Sequence, residues 1–86
     1  MNKEEYDLLV INLEEIRKRL KAGEFDRLLI LDYVDTVFNI DIYNRKEREL
    51  ECSKNGDYYT ARMNQLMACD SLGWRCQMKA DLLSNG

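Results

Sequence analysis

General acid–base chemistry draws most often on histidine, and this sequence has none, so any catalysis would fall to Asp, Glu, Lys, Tyr or Cys. Asp32 and Asp35 form the one candidate carboxylate pair. Three residues apart in an apolar segment, they would share one side of a helix, where burial could shift a pKa or the two groups could hold a divalent ion. Two carboxylates make a sparse cation site, and the plainer reading is the solvent stripe of an otherwise buried helix. The three cysteines are an odd number without a C-x-x-C pair, so the chain spells out neither a disulfide framework nor a tetrahedral zinc site. Cys52 lies near a helix C-terminus among Glu49 and Glu51, the wrong electrostatic field for a reactive thiolate. Cys69 and Cys76 are seven apart on one helical face. All three are expected to be packed thiols, and no catalytic residue, metal or cofactor is assigned.

The formal charge is −3, and it is unevenly placed. Residues 23–43 carry one basic side chain, Arg27, against Glu24, Asp26, Asp32, Asp35 and Asp41. Basic side chains gather in two places, the turn Arg17-Lys18-Arg19-Lys21 and the stretch containing Arg45, Lys46, Arg48 and Lys54. The second is offset by Glu47, Glu49, Glu51 and Asp57, and the first suits the negative end of a helix dipole. A nucleic-acid binder is expected to concentrate positive charge, so a DNA-binding transcriptional regulator is the weaker alternative. The run Arg45-Lys46-Glu47-Arg48-Glu49 resembles the basic-acidic run in the second part of small all-helical chorismate mutases. That family also turns an arginine of its first helix toward the core, whereas Arg17 and Arg19 lie off the apolar seam here. The resemblance therefore assigns no activity.

Two groups of side chains look made for proteins. Tyr58 and Tyr59 adjoin Arg48, Leu50 and Arg62 beside a polar turn, and Tyr and Arg are enriched among interface anchors. Trp74, with Met67 and Met78, makes a second, adaptable patch.

These residues must be positioned by helices. Tyr6, Leu9, Leu13, Ile16 and Leu20 recur at spacings of three and four, a heptad seam that predicts a first helix over 3–22. Leu8 and Ile11 lie beside the seam and widen it. From Leu28 to Tyr43 apolar residues fill most positions while Asp32, Asp35, Thr36 and Asn39 form a narrow polar stripe, so the second helix, over 25–54, is expected at the centre of the fold. The alternation Phe38-Ile40-Ile42 is a local, competing strand signal. Beyond Tyr43 the residues turn charged, which extends this helix as a solvated arm. Ala22-Gly23 and Asn55-Gly56 mark helix ends, and Asp57 is expected to cap a third helix over 57–83. With the turn at Gly56, Phe38 falls level with Trp74, Val34 with Met78, and Ile42 with Asp70 and Cys69. The third helix offers two apolar faces, one holding Tyr59, Met63, Leu66, Cys69, Gly73, Cys76 and Leu83, the other Met67, Trp74, Met78 and Leu82. One of them is expected to close the hairpin. Gly73 could permit close helix approach, kink this helix or end it.

The fold expected is all-α, a single domain in which an N-terminal helix packs on a long antiparallel helical hairpin. No apolar run is long enough for a membrane span, and the start lacks a secretory signal, so the expected location is the cytoplasm. The expected function is a non-enzymatic regulator or inhibitor, of the kind a phage or mobile element carries, which occupies the surface of a partner protein. Homodimerisation is expected as well, with Arg48, Leu50, Tyr58, Tyr59, Arg62 and Trp74 as binding residues. The alternative from another class is a ligand-binding or catalytic bundle built on Asp32 and Asp35.

Overall fold

The computed structural model describes residues 2–24 and 26–84. Three helices follow one another: α1 (Lys3–Lys21), α2 (Arg27–Lys54) and α3 (Tyr58–Ser84). Their ends lie within a residue or two of those expected, and the predicted start of the second helix at Phe25 lies outside the described residues. Asn2 caps α1 by accepting the Glu5 N–H at 2.9 Å, and Asp26 caps α2 by accepting the Leu28 N–H at 3.2 Å. Both early helices end in the same way. Gly23 and Gly56 adopt φ of 91° and 78°, a left-handed conformation open to glycine at little cost. Glu24 N–H then reaches Arg19 C=O at 3.1 Å, and Asp57 N–H reaches Cys52 C=O at 2.9 Å. These bonds satisfy carbonyls that the last helical turn leaves orphaned. The strand signal at Phe38–Ile42 loses to helix, which runs unbroken through it.

The helices form an N-terminal helix on a long hairpin, with α2 in contact with both neighbours. Among the described residues α1 and α3 make no contact with each other. The outcome is a layer measuring 47 × 27 × 18 Å. The α1 seam turns inward as its spacing predicts: Ile16 is 2% exposed, Leu9, Leu13 and Leu20 are half-buried, and Tyr6 stacks on Tyr43 with ring centroids 4.5 Å apart. Leu8 and Ile11 stay exposed, so they do not widen that contact.

The hairpin register agrees with expectation, but the face that α3 turns inward does not. Asp41 meets Ser71, Arg45 meets Met67, and Val34 lines a groove with Met78, all in the register set by the turn. The buried residues of α3, however, are Ala61, Asn64 and Ala68. With the half-buried Ser71, Arg75 and Leu82 they form a seam of mostly small and polar side chains at spacings of three, four and seven. Neither apolar face as a whole closes the hairpin: Leu82 of the second face joins the seam, while the exposed Trp74 and Cys69 overturn that expectation for the rest. On α2, Asp35, Asn39 and Asp41 find polar partners along that seam, which an apolar α3 face would not supply. Gly73 sits inside continuous helix with open space where a Cβ would stand, so it neither ends α3 nor brings another helix close. No helix among the described residues is long and apolar enough to cross a membrane.

Candidate functional site

The stripe Asp32, Asp35, Thr36 and Asn39 is divided between two interfaces. Toward α1, the Asn12 side-chain amide donates to Thr36 Oγ1 at 3.3 Å and to Asp32 Oδ2 at 3.5 Å. Thr36 is 2% exposed, so this is the polar lock of the α1·α2 contact. Toward α3, Lys79 Nζ donates to Asp35 Oδ1 at 3.1 Å, with Arg75 Nε 3.9 Å from the same oxygen. Arg75 also donates to Asn39 Oδ1, and Ser71 Oγ to Asp41 Oδ2. Asp32 and Asp35 thus serve different neighbours and do not converge on one ligand. Among the described residues no group of three or more His, Cys, Asp or Glu is placed to hold a metal ion.

This ladder was the part of the molecule hardest to see in the sequence. Arg75, Lys79 and Ser71 carry no apolar signal, and their partners stand 30 to 44 residues away. A readable trace exists in the spacing of Ala61, Asn64, Ala68, Ser71 and Arg75, a heptad seam written in small and polar residues.

Because that seam faces α2, the apolar side chains of α3 face outward. Trp74 is 64% exposed, and Met63, Leu66, Met67, Leu72 and Met78 are all exposed as well. Cys69 and Cys76 are exposed and Cys52 half-buried, which corrects the expectation of packed thiols. Met63, Met67, Trp74 and Met78, at spacings of four, seven and four, form one stripe along the helix. Leu72 with Cys69 and Cys76 lies on the other flank.

The hairpin tip carries the remaining predicted residues. Tyr58 and Tyr59 are 71% and 78% exposed, about 22 Å along the axis from Trp74. Arg62 is held to Gln65 by a bond of 2.6 Å, and Gln65 and Leu50 line one open groove of about 670 Å³ with Ile42, Tyr43 and Leu72. Arg48 lies with Glu51 and Lys54 in an adjoining open depression that shares Glu47 and Leu50 with that groove. The predicted set is therefore divided into a tip group and the Trp74 stripe. In the groove, desolvation holds the Tyr43 phenol above its ordinary value of 10.0, and Glu47, Asp7 and Tyr6 push it the same way.

No family model, curated protein or solved structure matches the chain. Of the basic turn, Lys18 lies 3.5 Å from Glu15 and Arg19 2.9 Å from Glu24, so half of that positive cluster has an acidic neighbour.

At the tip, Asp57 Oδ1 accepts the Thr60 N–H at 3.1 Å, which caps α3. Bonds from the Thr60 side chain and backbone hold the Asp57 carboxyl below its ordinary value of 3.8. A carboxylate whose folded pKa is depressed stabilises the fold above its unfolded pKa, and that contribution is lost as pH falls through the folded value. Asp57→Asn, which caps a helix without titrating, is expected to flatten the acid limb of a helicity titration below about pH 4. An unchanged limb would assign the acid sensitivity elsewhere.

Proposed function

We propose that the protein acts by binding protein through the outward face of α3, as a small regulator or inhibitor that occupies a surface. One observation carries this reading: the hairpin closes on small and polar residues while Met63, Met67, Trp74 and Met78 stand exposed along one side of α3. Apolar patches of this kind mark interaction sites, and a Trp flanked by methionines is suited to anchoring a partner. Tyr58 and Tyr59 at the tip extend the reading as a second contact point.

The test uses the full chain as bait against host extract, followed by reconstitution of any captured protein with purified components. Binding is expected to be lost in Met67→Lys and Trp74→Lys variants that keep wild-type helicity, and to weaken in Tyr58→Ala. Binding that survives both lysine variants would overturn the assignment of this face.

A further inference from the structure

We propose that this face pairs with a second copy of the same chain, α3 against α3 in antiparallel sense, with the two-fold axis passing between Asp70 and Ser71. The proposal rests on the reading of that face as a protein-binding surface and names its occupant.

The spacing of the stripe points to self-pairing. Met63 and Met67 precede the midpoint of residues 70 and 71 by the same intervals at which Met78 and Trp74 follow it. An isologous contact requires that symmetry, because residue i meets j and j meets i across the axis. In this register Met67 of each copy meets Trp74 of the other, a thioether against an aromatic ring, a favourable contact. Met63 of each copy arrives beside Met78 of the other. There it finds a seat, an open groove of about 470 Å³ between α2 and α3 lined by the apolar Ile30, Val34, Met78 and Leu82 together with Arg27 and Asp81. The stripe thereby continues onto α2, and the contact is wider than one helix.

Area and charge agree with a second copy. The chain exposes 6290 Å², whereas a compact monomer of 10.2 kDa is expected to expose about 5,300 Å². The excess, on the order of 1,000 Å², is comparable to the roughly 800 Å² per partner that a standard interface buries. A layer with α2 in its middle and no contact between its outer helices has this excess by construction, and a second layer laid on it removes the excess. Between Met63 and Met78 the only charged residues are Asp70 and Arg75. Arg75 is turned to Asn39 and Asp35, and Asp70 is exposed near the axis. On α3 the pairing thus opposes one like-charged pair, Asp70 with its copy, while on the flank Arg45 lies against Met67 and Arg27 and Asp81 line the groove; Asp70→Asn is expected to tighten it.

Sedimentation of the full chain across the micromolar range tests the proposal, with fluorescence of Trp74, the chain's single tryptophan, as a second readout. A dimer is expected, with Trp74 emission shifting to shorter wavelength as it forms. Trp74→Ala is expected to weaken it roughly tenfold or more. Register is read by cross-linking in a background with Cys52, Cys69 and Cys76 replaced by Ser. Met63→Cys mixed with Met78→Cys should form a disulfide between copies, and neither variant should cross-link with itself. In this register like positions lie about 22 Å apart along the axis, beyond disulfide reach. A monomer at high micromolar concentration would overturn self-pairing while leaving binding to another protein intact. A dimer indifferent to Trp74→Ala, or one cross-linked Met63 to Met63, would overturn this face and register.

Discussion

Ile16→Ala is expected to cost roughly 2–5 kcal/mol and to release α1 before the hairpin unfolds. Ile16 is the one fully buried side chain of α1, and α1 touches α2 alone. Its other ties are the Tyr6–Tyr43 stack and the Asn12 bonds to Thr36 and Asp32, neither of which offsets a cavity left by three missing carbons. Against a total stability of about 5–15 kcal/mol for a small domain, the loss is large. Native-state hydrogen exchange is the measurement that separates the outcomes: α1 amides should lose protection while those of α2 and α3 keep it. Leu8→Ala and Ile11→Ala, at exposed positions of the same helix, should shift the urea midpoint very little. Equal loss of protection in all three helices would mean that α1 is not a separable unit.

The second large effect is Ala68→Leu. Ala68 is 6% exposed and sits on the seam between the Met67–Arg45 and Ser71–Asp41 contacts. A leucine there wedges α2 from α3 and stretches the Ser71–Asp41 and Arg75–Asn39 bonds unless its side chain turns into the open groove that Ala68 also lines. Overpacking of this kind costs roughly 1–3 kcal/mol, with lost hydrogen bonds to partly buried groups adding about 1 kcal/mol each. Cys69→Leu, one residue on, points outward and should be close to neutral. The pair of variants reports the rotation of α3 about its own axis. If α3 turned its apolar side to α2, the ranking would reverse, and urea midpoints at fixed protein concentration would show it.

How much was legible depended on the range of the interaction. The heptad seam of α1, the thin polar stripe of α2, the glycine turns and the Asp57 cap are encoded within a few residues, and each appears where its spacing places it. The stripe departs from its local pattern in one respect. Asp35 and Asn39 were expected in solvent, yet they meet Lys79 and Arg75 on a helix that lies beyond the turn. The candidate site was legible in composition, since Trp74 with Met67 and Met78 was recognised as a patch, but its exposure was not. Apolar residues surround α3 on several sides, so periodicity could not say which side faces α2.

The sequence by itself determined three helices, their ends, the hairpin register and the inward edge of α1. All of these follow from backbone sterics, capping and side-chain spacing. Only the tertiary structure decided that α2 separates α1 from α3, and that α3 turns its small and polar residues inward. That rotation is set where the carboxylates and amide of α2 find donors on α3, a pairing between distant positions that no local pattern records. Its consequence is the exposed stripe of Met63, Met67, Trp74 and Met78.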